Sequence, residues 1–226
     1  MRIDFQSFTK RWHMPPRGQF PIGSRVYCGF QGSGKTISMV KYALDIRAKF
    51  PNCELFSNIQ LTPPLPHFHY NHFSTGVELE KALNCSGVGE CGKLVLIDEA
   101  HLFFNKKTGI SLDVLTAISQ QRKDRTRIVF SSQIWEELDI SLRKQVKEIV
   151  RCHKIFNLQI NTVSNGETLT YDKIQSEYVA KKLYTEVFKH SDELYKCYDT
   201  RQKIVTNKDY SRQTVQNSYN ISINNK

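Results

Sequence analysis

The sequence predicts an α/β fold, a doubly wound and mostly parallel sheet with helices on both faces. Three observations carry that expectation. Strand-like and helix-like stretches alternate from Arg25 to Arg151. The run Lys93 to Ile97 (KLVLI) is apolar after its first residue with no polar alternation, as suits a strand covered on both faces. A glycine-rich turn, Gly29 to Thr36, sits between a β-prone run and a helical period. A length of 226 residues is enough for one core of this kind and little more.

Residues 1–24 mix aromatic, basic and Pro/Gly positions and read as a leader lying on the domain, which is expected over 25–200. Arg25 to Cys28 is the first strand, and Thr36 to Lys49 carries Ile37, Val40, Ala43, Leu44 and Ile46 at close to helical period. Glu54 to Ile59 predicts the next strand, after which Pro63, Pro64 and Pro66 break the chain into a loop. Thr75 to Asn84 predicts a helix with a Thr or Ser cap, and Ser86 to Gly92 a flexible connector. After the buried strand Lys93 to Ile97, a helix is expected from Gly109 to about Asp124, a strand from Thr126 to Phe130, and an amphipathic helix from Ile134 to Arg151.

Lys154 to Val163 and Thr168 to Ile174 flank Ser164-Asn165-Gly166, which predicts an antiparallel hairpin turning at Asn-Gly. Gln175 to about Asp192 has Tyr178, Val179, Leu183, Tyr184, Val187 and Phe188 at helical spacing and predicts a C-terminal helix. The remainder, 201–226, is a polar tail rich in Asn, Ser, Gln and Lys, expected to be flexible.

Thirty-two Lys and Arg against 22 Asp and Glu give a formal charge of +10, which favours a polyanionic partner, nucleic acid or anionic lipid. No run of about 18 apolar residues occurs, so no membrane span is expected. The first 20 residues lack the apolar core of a secretory signal, which points to a reducing cytoplasm. The six cysteines are scattered without a C-x-x-C pair and read as free thiols, unlike a disulfide framework or a zinc ribbon.

Gly29-Phe30-Gln31-Gly32-Ser33-Gly34-Lys35-Thr36 fills every fixed position of G-x-x-x-x-G-K-[ST], between a strand and a helix as the pattern requires. Such a loop binds the phosphates of ATP. Gly29, Gln31, Gly32, Ser33 and Gly34 turn backbone N–H groups inward, Lys35 brings a point charge to the β- and γ-phosphates, and the Thr36 hydroxyl ligates Mg²⁺. The complementary acid pair is Asp98-Glu99, ending the buried strand. Asp98 would hold Mg²⁺ through water, and Glu99 would orient and deprotonate the attacking water. Asp98-Glu99-Ala100-His101 spells a helicase tetrapeptide, but that class needs two lobes and this chain has room for one; His101 is better read as a helix-start residue beside the site.

The strand Thr126 to Phe130 runs into Ser131-Ser132-Gln133, where the Gln133 amide could sense the γ-phosphate. Arg122, Arg125 and Arg127 precede it. Any one of them could stabilise the transferring phosphoryl group from a neighbouring subunit, and a basic helix end beside its own dipole is an equally good reading. Three weaker signals have bland readings: the histidine-rich loop His67, His69 and His72 as a packed loop, Lys106-Lys107 as a solvated or phosphate-touching loop, and Cys152-His153 with Cys85 and Cys91 as thiols at no zinc-site spacing.

Gly29 to Thr36, Leu94 to Glu99 and Arg122 to Gln133, in that order, resemble the FtsK/HerA superfamily of ring-forming P-loop ATPases, and within it the zonular occludens toxin-like and viral genome-packaging members. Ser57-Asn58-Ile59 and Ile140-Ser141-Leu142-Arg143 are similar to the same subgroup, and the resemblance spans about Arg25 to Cys152. It implies a RecA/FtsK-like fold and Mg²⁺-dependent ATP hydrolysis that moves or packages a phage or viral genome. Its implied partners are double-stranded DNA, further copies in a hexameric ring, and a virion or portal-like protein, in the host cytoplasm or on the virion. It also implies that Lys35 and Thr36 bind phosphate and metal, Asp98 and Glu99 form the acid pair, Gln133 is the sensor, and Arg122 is the trans-acting arginine with Arg125 and Arg127 as rivals. One departure is that filamentous-phage members carry a membrane-spanning segment after the ATPase domain. Its lack here favours packaging over extrusion at a membrane. A nucleotide kinase and a non-hydrolysing scaffold compete with both.

Overall fold

The computed structural model describes residues 18–63, 68–85, 91–104, 110–172 and 177–199. The first residue of the leader it describes is Gly18, and the tail 201–226, the Lys106-Lys107 loop and His67 lie outside the described residues.

Eight strands form one sheet in the order β10-β7-β6-β1-β5-β4-β2-β3. Strands β1 (Gly23–Cys28), β2 (Glu54–Ser57), β3 (Asn71–His72), β4 (Lys93–Ile97), β5 (Thr126–Ser132) and β6 (Val146–Ile155) run parallel to their neighbours in this set. β7 (Leu158–Asn165) and β10 (Lys182–Lys189) extend the sheet antiparallel from β6. A separate two-stranded ribbon joins β8 (Thr170–Asp172) to β9 (Glu177–Val179). The doubly wound α/β expectation holds: α1 (Lys35–Lys49) lies on one face, and α2 (Gly76–Asn84), α3 (Leu112–Ser119) and α4 (Ile140–Lys144) on the other.

The run KLVLI shows why both faces must be covered. Leu94 and Leu96 join the core beneath α1, while Val95 and Ile97 join the core beneath α2 to α4. All four are fully buried, each worth about 1.5–3 kcal/mol of transfer free energy. The predicted cap of α2 is also in place. The Thr75 hydroxyl accepts from the Glu78 backbone N–H at 3.2 Å, and the Glu78 carboxylate accepts from the Thr75 N–H at 3.1 Å, a reciprocal capping box.

Three sequence expectations are corrected. Ile134 to Arg151 is not one helix: a single turn at Trp135–Glu137 and the short α4 are followed by β6. The register between β1 and β6 slips at Ser24/Arg25, so that Ser24 pairs with Val146 and Arg25 with Glu148. The extra residue, Lys147, sets Val146 and Ile149 on the same face three residues apart, a helical interval inside a strand. The hairpin turns at Phe156-Asn157, since Ile155 pairs with Leu158, and not at Asn165-Gly166. Gly166 serves a different need, for a Cβ there would meet the Val146 carbonyl oxygen at 2.1 Å. Gln175 to Asp192 contains β9 and β10 in place of a helix, and among the described residues only the single-turn α5 (Asp192–Tyr195) follows.

A buried ionic cluster locks the antiparallel strands to the parallel ones. Arg25 on β1, 1% exposed, donates to Glu148 on β6 at 3.1 Å and to Glu186 on β10 at 2.9 Å, and Arg127 on β5 pairs with the same Glu148. The hydroxyls of Tyr27, Tyr184 and Tyr42 accept from these guanidiniums. The arrangement leaves few donors unmatched, as a buried charge demands. All six cysteines are unpaired thiols, and no helix among the described residues is long and apolar enough to cross a membrane.

Candidate nucleotide site

The glycine-rich loop leaves the end of β1 at the centre of the sheet and enters α1. Gly32 and Gly34 have φ of 78° and 86°, a conformation that costs an L side chain about 1–2 kcal/mol. Ser33 N–H donates to the Phe30 carbonyl at 3.1 Å, which closes the turn over the first residues of α1. The 15-residue helix has no acidic residue in its first turn, so its positive end is left uncompensated toward an anion. Lys35, buried on the loop, donates from Nζ to the carbonyl oxygens of Gly29 (2.9 Å) and Phe30 (3.1 Å), bonds it can exchange for phosphate oxygens.

Two strands away, β4 delivers the acid pair. The Thr36 hydroxyl donates to Asp98 Oδ2 at 3.0 Å, and the Ser131 hydroxyl from β5 donates to Asp98 Oδ1. Burial pushes the Asp98 carboxyl up, with the hydrogen bond from Ser131 opposing and the Glu99 charge adding to the rise. A buried carboxylate with a hydroxyl beside it is a hard oxygen pair of the sort a Mg²⁺ ion takes, and a cation there would relieve the cost of its charge. Glu99 has φ of 51°, and its backbone N–H donates to Ser131 Oγ at 3.0 Å. The chain thus kinks where β4 ends, and the Glu99 side chain receives a hydrogen bond from Gln133 Nε2 at 3.0 Å. His101 Nδ1 lies 3.3 Å from the other Glu99 oxygen without hydrogen-bond alignment.

Loop, acid pair and Gln133 line one cleft of ≈ 470 Å³. With that geometry in view, the profile of the zonular occludens toxin (Zot) family matches residues 25–203. The chain belongs to the Zot family. Among solved structures, the N-terminal domain of zonular occludens toxin from Neisseria meningitidis superposes with a TM-score of 0.54 at 16% identity, covering 78% of this chain and 98% of that one. The genome packaging NTPase B204 from Sulfolobus turreted icosahedral virus 2, in complex with sulfate, gives 0.50 at 14% identity, covering 75% and 99%. These likenesses establish the fold of the Zot-family chain as that of P-loop NTPases. No curated protein matches it by sequence.

The cleft of this Zot-family protein gathers Gln31, Gly32, Gly34, Lys35, Thr36, Asp98, Glu99 and Gln133, and Gly29 and Ser33 belong to the same loop. The arginines are elsewhere. Arg122 is exposed in the turn before β5, and seven strand residues separate that end of the sheet from Gln133, roughly 20 Å at about 3.3 Å each. Arg125, in the same turn, is also exposed. Arg127 is corrected as a rival: it is 3% exposed and committed to Glu148 and Tyr42, so it cannot reach a neighbouring subunit.

Sequence reading gave no role to Asn58 or Ser131. The buried Asn58 amide brackets the Asp98 peptide, accepting from its N–H at 2.7 Å and donating to its carbonyl at 2.9 Å. Both residues stood in quoted motifs, Ser57-Asn58-Ile59 and Ser131-Ser132-Gln133, yet their function depends on strand adjacency that spacing does not reveal.

Proposed function

We propose that this Zot-family chain is a Mg²⁺-dependent ATPase that drives DNA movement or packaging as a homo-oligomeric ring. The observation that carries the hydrolytic part is Glu99, turned out of β4 by its left-handed backbone and hydrogen-bonded to Gln133 beside the loop that begins α1. The N–H groups of the loop and Lys35 bind the phosphates, and Glu99 accepts a proton from the attacking water while Gln133 fixes the orientation of the carboxylate. Thr36 and Asp98 are the residues that would hold Mg²⁺, whose chemistry when bound is to neutralise charge on the β- and γ-phosphate oxygens. The +10 charge supports a polyanionic track, and exposed Arg122, far from its own cleft, suits a role across a subunit interface.

The test is ATP turnover with and without duplex DNA, paired with the mass of the assembled particle. Glu99→Gln is expected to lower kcat by at least about 100-fold while nucleotide affinity is kept, since a general base contributes roughly 10²–10⁴. Unchanged turnover would remove Glu99 as the base and favour the scaffold reading. A second reading, which the resemblance to zonular occludens toxin-like proteins implies, is assembly or extrusion of a filamentous phage at a membrane. Turnover indifferent to DNA, together with pelleting on anionic vesicles, would support that reading over the first.

A further inference from the structure

The sheet order fixes which way a bound nucleotide must lie. β1, which carries the phosphate loop, has β5 and β4 on one side, with Gln133 and Glu99 at their ends, and β6, β7 and β10 on the other. If the terminal phosphate faces Glu99, the sugar and base extend toward the β6–β7–β10 side. There the cleft is walled by Lys154 at the end of β6, by His190 just past β10 and by Tyr195 on α5.

This wall is bonded to the loop. Gln159 on β7, fully buried, donates from Nε2 to the Ser33 carbonyl at 2.9 Å, and its Oε1 lies 2.9 Å from His190 Nε2. The Ser33 carbonyl fixes the amide orientation, so Oε1 is the acceptor and His190 Nε2 carries the hydrogen. Nδ1 then accepts from the Tyr195 hydroxyl at 2.6 Å. The two rings meet edge to face, centroids 5.5 Å apart at 79°. The contact with the loop is also steric, for a Cβ on Gly34 would meet Gln159 Oε1 at 2.0 Å. A hydrogen-bonded chain thus runs from the loop backbone through Gln159 and His190 to Tyr195.

We propose that His190 and Tyr195 form the base-binding wall of the nucleotide site, and that Gln159 is the positioning residue that holds this wall in register with the phosphate loop. The ligand class is a nucleoside triphosphate whose planar base packs on the rings. The inference rests on the nucleotide reading above and deepens it.

Calorimetric titration with two probes, a non-hydrolysable ATP analogue and inorganic tripolyphosphate, each with magnesium, separates the base from the phosphates. In the native sequence the analogue should bind more tightly than tripolyphosphate. His190→Leu and Tyr195→Leu, both at partly exposed positions, should weaken the analogue about tenfold, in the range of base–ring stacking, and leave tripolyphosphate within twofold. Gln159→Leu should weaken both probes, since it releases the loop. Equal loss of both probes in the ring variants, or full analogue affinity in them, would overturn the wall. Tripolyphosphate binding unchanged in Gln159→Leu would overturn the positioning role. An unaltered protein that binds tripolyphosphate as well as the analogue would remove the base site and leave the phosphate loop standing; one that binds neither would remove the nucleotide reading and this inference with it.

Discussion

At the level of single residues, the acid pair depends on a side chain that never touches substrate. Asn58 satisfies both backbone groups of Asp98 from the neighbouring strand's end, and with Ser131 it fixes the kink that turns Glu99 toward Gln133. Asn58→Ala leaves a buried N–H and a buried carbonyl unpaired, and a cost of about 2–3 kcal/mol is expected from the loss of such partners. A lower urea midpoint, with kcat falling more than nucleotide affinity, is the outcome that fits; unaltered turnover would mean the kink holds without it. The residues that chemistry requires at fixed spacing, Gly29 to Thr36 and Asp98-Glu99, were legible because their spacing is local. Asn58, Ser131 and Gln159 were not, because each acts on a segment at least 30 residues away in sequence, through neighbours that only the sheet order creates.

At the level of elements, the first half of the fold was readable and the second was misread for a physical reason. Strands β1, β4 and β5 centre on short apolar stretches, Val26 to Cys28, Leu94 to Ile97 and Ile128 to Phe130, between turn signals, and the burial of β4 and β5 on both faces leaves no competing pattern. β6 and β10 each carry a register slip, at Ser24/Arg25 against β1 and at Lys182/Tyr184 against β7; the first sets Val146 and Ile149 three residues apart on one face, and the second brings the adjacent Leu183 and Tyr184 to one core, so neither strand shows strict alternation. The turn between β6 and β7 was hidden as well, since its first residue is Phe156, 91% exposed at φ of 51°. An aromatic residue seldom takes that conformation. Phe156→Asn keeps a residue that tolerates the left-handed region and removes an exposed ring that packs on no core. We expect it to stabilise the protein by about 0.5–1 kcal/mol, read as a rise in Tm. A fall would indicate that the ring is held by contacts the strain outweighs.

At the level of the whole molecule, the parallel core and the antiparallel extension meet in one ionic cluster, with Arg25 as the residue that touches both. Glu148 on β6 pairs with Arg25 of β1 and Arg127 of β5, and Arg25 reaches on to Glu186 of β10. Burial works to raise the Glu148 carboxyl, but Arg127 and Arg25 overcome it and hold the group down at about 2. A carboxyl lowered on folding stabilises the native state above its unfolded pKa, and the contribution disappears as the pH falls through the folded value. The window is therefore from about pH 5 down to about pH 2, and a shift of this size corresponds to about 3 kcal/mol. Glu148→Gln leaves two buried guanidiniums short of their shared counter-charge and should cost about 3–5 kcal/mol at neutral pH. The same variant should lose the part of the acid dependence that Glu148 supplies, so urea midpoints of the two proteins should converge as pH falls toward 3. Parallel curves with a constant gap would assign the loss to packing and show that Glu148 adds no charge-dependent stability to the cluster.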